Sequence, residues 1–326
     1  MADTPPDTES LPVSRATTRP YLSVQIGPDA LDPVQLETQF RRLHRLLAST
    51  DATLEMLLCS TAHETVDCYV GITPTAHFES LRTIVRTLLP ETDDLTEKQC
   101  EPLEAIHPPT STPESPSSRE YAAVEYQATP TRQNDWQLGL TPFADFQSEE
   151  TPRIPLGSLV STMAQTDANV VFQALVEAEP DWSHKRDERR LALESAHDTI
   201  GQQFLTALVG SSETTDEDSL QTDRERDEAL ESRDPRHCVS VTARALCTSD
   251  FDDPGPIAQE LTGVFAPVSG PYYEIAGTVV DDPRRLVDDA LDRTTYSPYP
   301  PFSAKFPLTS NTTKAILADP SELASF

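Results

Sequence analysis

The sequence predicts an α+β protein in which one order of elements, strand–helix–strand–strand–helix–strand, is traversed twice. Three observations predict it. Short runs alternate apolar and polar residues, longer runs between them carry apolar stripes at helical spacing, and one Pro/Ser/Thr-rich stretch divides the chain. A length of 326 residues corresponds to about two domains. A hydrophobic content of 37% supplies a core at that size.

Residues 1–19 are rich in Pro, Thr and Asp and read as a disordered tail. The first unit, 20–106, opens with Leu22, Val24 and Ile26 alternating with Ser23 and Gln25, the period of a strand. Asp32 and Pro33 supply an N-cap and a first-turn proline, with Gln35 in the capping-box position. The helix that follows lines up Leu36, Phe40, Leu43 and Leu47. Two strands, Leu54–Cys59 and Val66–Ile72, come next. A second helix carries Phe78, Leu81, Val85 and Leu88 and stops at Pro90. A last strand is expected around Leu103–Ile106. This βαββαβ order is the ferredoxin-like split pattern. Residues 107–120 have nothing to bury and read as a linker.

The second unit, 121–326, repeats the order. Ala122–Tyr126 reads as a strand, Leu156–Met163 as a helix, and Val170–Val176 and His237–Cys247 as strands. Ile257, Leu261, Val264 and Phe265 mark a helix, and Tyr272–Val280 a final strand. Between its second and third strands lies a long helical and acidic insertion at about 181–235. Leu193, Ala196, Ile200, Phe204 and Leu208 share one helical face there. Glu213–Asp234 carries ten acids and three arginines and reads as a mobile acidic loop. Residues 283–293 suggest one more short helix, and the remainder is broken by prolines.

Charge excludes several functions. Lys plus Arg total 25 against 54 Asp plus Glu, a net charge of −29, and only Lys98, Lys185, Lys305 and Lys314 are lysines. Direct contact with nucleic acid is not expected, because the basic footprint that draws phosphate is missing. No apolar run approaches the roughly 18 residues needed to span a bilayer, and MADTPPDTESLP has no signal-peptide character. Acid spread along the whole chain, with few lysines, fits a salt-adapted, halophilic, cytoplasmic protein better than the alternative, a dedicated acidic surface for a basic partner. At about 1 M salt the Debye length is only about 3 Å, and self-repulsion is silenced. Cooperative unfolding is therefore expected at molar KCl, with swelling or loss of structure near about 0.1 M; equal melting temperatures in the two buffers would refute salt adaptation. The five cysteines form no CxxC pair, which fits a reduced compartment. Cys59 and Cys68 are expected as small core residues.

Chemistry is hard to find. None of the four lysines follows a glycine, so no Walker A cradle exists, and GxGxxG, HExxH and GxSxG are absent. His237 and Cys238 are adjacent on a strand and point to opposite faces. Asp250, Asp252 and Asp253, like Asp281 and Asp282, lack the register of a calcium loop and read as acidic surface. No catalytic, cofactor-binding or metal-binding residue is expected, and no cofactor. Arg41, Arg42 and Arg45 beside His44 read as a solvated helix face. One stretch runs against the overall charge. Lys185, Arg186, Arg189 and Arg190 follow Pro180-Asp181-Trp182, with only Asp187 and Glu188 among them. Two readings stand: a self-paired helix start, with Lys185–Glu188 and Asp187–Arg190 pairs, or a docking face of Trp182, Lys185, Arg186, Arg189 and Arg190.

The segment Val171–Trp182, ending Glu-Pro-Asp-Trp, followed by the charged run Lys185–Arg190, resembles the N-terminal region of haloarchaeal conjugative-transfer (type IV secretion) ATPases. There a buried strand, a Gln, a Pro-x-x-Trp or Pro-Asp-Trp and a charged helix precede the motor. Ile316–Ala324 is similar to the element leading into that motor's nucleotide-binding domain, and Trp136 with Leu140-Thr-Pro-Phe143 fits the same pattern. The resemblance spans about residue 20 to the end. It implies a non-catalytic assembly and docking region, partnered by a P-loop motor domain or other secretion-machinery proteins. It also implies self-association as a homo-oligomer, with membrane association only through partners. Such proteins continue into the P-loop beyond the position of Phe326, so no Walker residue carries over. The alternative is a free-standing interaction module, or a viral or plasmid accessory protein, without enzymatic activity. An enzyme with an unfamiliar site is the third reading, and it lacks any convergent His/Cys/Asp constellation.

Overall fold

The first helix begins where its capping chemistry puts it. The Asp32 carboxylate accepts a hydrogen bond from Val34 N at 3.0 Å, Pro33 occupies the first turn, and the helix closes at Asp51 in the left-handed conformation (φ 51°). The computed structural model to which it belongs describes residues 18–25, 32–60, 65–89, 94–106, 120–147, 154–194, 217–250, 252–300 and 311–326. Its first half contains β1 (Arg19–Gln25), α1 (Pro33–Thr50), β2 (Thr53–Ser60), β3 (Asp67–Thr73), α2 (Phe78–Leu88) and β4 (Asp94–Cys100). The second contains β5 (Glu120–Pro130), α3 (Phe143–Gln147), α4 (Pro155–Gln165), β6 (Asn169–Ala178), α5 (Ser183–Glu194) and α6 (Glu217–Ser232). It continues through β7 (Val239–Ser249), α7 (Gly255–Leu261), β8 (Tyr273–Val279), α8 (Pro283–Leu291) and β9 (Ile316–Ala318).

The protein is mixed α+β, with one nine-stranded antiparallel sheet ordered β4-β1-β3-β2-β6-β7-β5-β8 and β9 paired off that path to β7. Each half contributes its strands in the order fourth, first, third, second. The second strands meet in the middle, where Leu57 lies opposite Gln173 and Glu55 opposite Leu175. One face of the sheet packs the larger core, including Leu22, Leu58, Phe172 and Ala243, under α1, α2, α4 and α7. The other face is thinner. Leu57, Val171 and Leu246 meet α8 and the 3-10 turn Pro102–Ile106 there.

Three sequence expectations are corrected. The fourth strand of the first half is Asp94–Cys100, and Leu103–Ile106 forms a 3-10 turn instead. Leu103 and Ile106 are three residues apart, one 3-10 turn, and both are fully buried. The true strand is a charged, exposed sheet edge without apolar alternation, as edges often are. The acidic stretch is not a loop over Glu217–Ser232 but the four-turn helix α6, and it packs on α5. The proline-broken remainder contains β9, only three residues long and therefore without a readable period. The expected tail over 1–17, the linker over 107–119, and the helical positions Ala196, Ile200, Phe204 and Leu208 lie outside the described residues.

Gly71 shows how tightly the thinner face is built. It pairs with Glu55, and a Cβ there would lie 2.7 Å from Tyr21 Cε1. Gly71→Ala is expected to cost about 1–3 kcal/mol by overpacking, measured as a shift in the denaturant midpoint at molar salt.

Candidate interaction site at the helical insertion

The insertion leaves the sheet at the end of β6 and returns at the start of β7, where Glu179 N donates to Cys238 O at 3.0 Å. Asp181 caps α5 by accepting from Ser183 N at 2.8 Å, and α6 runs against α5. The five residues expected to form a docking face have different fates. Trp182 is buried, edge-to-face with Trp136 at 5.4 Å between ring centroids. Arg189 is buried as well and donates to Asn134 O and to the Asp135 carboxylate. These two are turned inward: the strand end sweeps Trp182 under the helix, and Arg189 lies two turns along the same face. Arg186 pairs with its neighbour Asp187 at 3.0 Å, and Arg190 grips Asp227 of α6 at 2.7 and 3.2 Å. Lys185 remains exposed, with its Nζ 5.2 Å from the centroid of Tyr299 and 5.9 Å from that of Trp136. The pairs read from spacing, Lys185–Glu188 and Asp187–Arg190, are replaced by His184–Glu188 at 3.4 Å and by contacts to α6.

Residues outside that run anchor the arm. Asp135 is fully buried and accepts from Arg132 N at 2.9 Å, from Arg189, and from Arg226 Nε and Nη2 at 3.3 and 3.4 Å. Arg132 Nη1 reaches Asp223 at 2.9 Å, and Arg226 lies 4.1 Å over the Tyr272 ring. Leu138, Leu193 and Leu230 form a small apolar cluster here, with Ala229 and Tyr272 packed against it. At the end of α6, fully buried Arg233 binds Glu322 and Asp319. Glu322 also accepts from Leu140 N at 2.7 Å and Asp319 N at 2.8 Å. Burial, reinforced by Asp319 and opposed by Arg233, pushes the Glu322 carboxyl up to about 7. Arg41, expected on a solvated face, instead ties α1 to Asp234 at 3.0 Å; His44 beside it is buried, its ring 5.4 Å from that of His237.

A second polar network crosses the thinner face. Arg293, in the left-handed region at φ 55°, donates to Glu55 at 2.8 Å, Tyr21 Oη at 2.9 Å and both Glu101 oxygens at 3.2 Å. Tyr21 donates to Glu55 at 2.8 Å, and Gln173 donates to Glu55 and to Ala290 O. One signal for it was readable. Glu55 and Gln173 interrupt the apolar stretches of β2 and β6. Nothing comparable marked Asp135 or Glu322, which sit in irregular segments.

Burial pushes the thiols of Cys68, Cys238 and Cys247 up to about 12, far from a thiolate at neutral pH. Among the described residues no group of three or more His, Cys, Asp and Glu is placed to hold a metal ion. Asp252 and Asp253 line a cleft of about 390 Å³ between α4 and α7, where Asp253 accepts from Gly255 N at 2.8 Å. No helix among the described residues is long and apolar enough to cross a membrane. In comparison with known proteins, the chain matches no family model and no curated sequence.

Proposed function

We propose that this chain is the non-catalytic assembly and docking region of a conjugative-transfer ATPase in a salt-adapted archaeon, two ferredoxin-like units fused through their second strands into one platform. One observation carries the reading: how Ile316–Ala324 is built in. Its strand pairs with β7, its acids Asp319 and Glu322 hold Arg233 of the insertion, and Phe326 just beyond stacks on Phe265 at 5.5 Å. In the family it resembles, this element leads into the motor. A pull on it therefore acts directly on β7, near the middle of the sheet, and not on a slack joint.

The buried ion pairs favour a scaffold too, because the carboxylates of Glu55 and Asp135 are taken up by Arg293, Arg189 and Arg226 of the same chain. Nucleotide chemistry would belong to a P-loop motor partner on the cytoplasmic side, with self-association of the platform into an oligomer and membrane contact only through other secretion proteins. Sedimentation at molar KCl of the full chain with the P-loop motor domain of a haloarchaeal conjugative-transfer ATPase tests this. Co-migration is expected, and separate boundaries would overturn the docking role. The chain alone is expected to show no ATP-dependent rise in melting temperature, since a ligand that binds only the native state must raise it. A magnesium-dependent, ATP-specific rise would overturn the non-catalytic role.

A further inference from the structure

Lys185 behaves unusually for a cation in a chain with 54 acidic residues. Among the described residues it forms no ion pair. Instead its ammonium stands over two aromatic rings, 5.2 Å from the centroid of Tyr299 and 5.9 Å from that of Trp136, both within cation–π range. The rings are held rigidly for this. Trp136 and Tyr299 meet edge-to-face at 5.0 Å and 82°, and Trp182 braces Trp136 from another side at 5.4 Å. Glu179 fixes Tyr299 by accepting its hydroxyl hydrogen at 2.7 Å and contributes negative potential toward Lys185. Two aromatic faces, a third ring behind them and a carboxylate alongside make up the architecture that selects ammonium groups over hydrated alkali ions.

We propose that Trp136, Tyr299 and Glu179 form a binding site for an organic ammonium group, and that Lys185 is its tethered internal occupant. Lys185 belongs to the first turn of α5, is exposed, and has a flexible four-carbon stem, so it can leave without disturbing the rings. An external ammonium group would then take its place. The same chemistry has two sources, a basic side chain of a docking protein or a free quaternary ammonium solute. The site does not depend on the conjugative reading.

The only two tryptophans of the chain, Trp136 and Trp182, are both in this cluster, so intrinsic fluorescence reports on it alone. The full-length protein is titrated with tetramethylammonium chloride and with n-butylammonium chloride at constant molar ionic strength, KCl making up the balance. In Lys185→Ala, and in Lys185→Gln, which keeps the stem, a saturable emission change is expected. Its midpoint should be roughly fivefold or more below that of the wild type, because the tethered competitor is gone. Melting temperature should rise with the bound ammonium. Adding Tyr299→Leu to Lys185→Ala should remove the response. Tighter binding of n-butylammonium assigns the site to a protein side chain, and tighter binding of tetramethylammonium assigns it to a free solute. A response in Lys185→Ala no different from that to KCl, or equal midpoints with and without Lys185, would overturn the proposal.

Discussion

Asp135→Ala is expected to destabilise the protein by about 3–5 kcal/mol, the range for removing one partner of a buried ion pair. Asp135 is completely buried and answers two side-chain cations that are themselves 4% and 3% exposed, Arg189 and Arg226. Removing it takes away a carboxylate at hydrogen-bond distance from both, leaving Arg226 with Asp223 at 3.7 Å, beside the small apolar cluster of Leu138, Leu193 and Leu230. Asp135→Asn should cost nearly as much: it keeps the volume but not the charge. Thermal melts at molar KCl are the right measurement, because screening that silences surface charge does not reach a dry pair. A loss under about 1 kcal/mol would mean that the arginines re-pair with Asp223 or reach solvent.

Arg293→Met carries the second large effect, again about 3–5 kcal/mol. Arg293 follows α8 in the second half and holds Glu55, Tyr21 and Glu101 of the first, so its loss leaves two carboxylates buried without a cation and loosens the seam. Arg293→Met combined with Glu55→Gln should be less destabilising than the sum of the single changes, by about 1–3 kcal/mol for groups in one network. Strict additivity would show that the network is not energetically coupled. Arg293→Lys should rescue poorly, because one ammonium cannot reproduce a fork that reaches three partners.

The elements that pack on the sheet were largely legible in the sequence. Leu36, Leu43 and Leu47 read as a helical stripe because a buried helix face requires that period, and all three are buried in α1. Strand β6 was legible as an apolar run and β7 by the alternation of Val239, Val241, Ala243 and Ala245, and both are buried along most of their length. Edge strand β4 escaped, since solvent on its outer side removes the need for alternation. Helix α6 escaped for a related reason. Over 221–232 its buried residues are Asp223, Arg226 and Leu230, and Arg233 just past its end is buried too, so counting charges predicted a solvated segment. The docking run was found as a motif, but its meaning changed. A cationic cluster in an acidic chain stood out, while the acids that claim it, Asp135 and Asp227, lie far away in sequence and came into view only with the fold.

The chain leaves the sheet at Ala178 and re-enters at Val239, next to its point of departure, because β6 and β7 are paired neighbours. That makes the insertion a graft point. Loop closure costs only about 0.6 kcal/mol for each doubling of length, so descendants of this fold could lengthen the arm freely while the β6–β7 ladder stayed in register. Shortening is a different matter. Deleting the arm would remove Arg189, Arg226 and Arg233 and leave Asp135, Asp319 and Glu322 buried without their cations. Lengthening and shortening the arm are therefore unequal changes: the first leaves the β6–β7 ladder and the buried pairs in place, and the second uncovers three acids of the body.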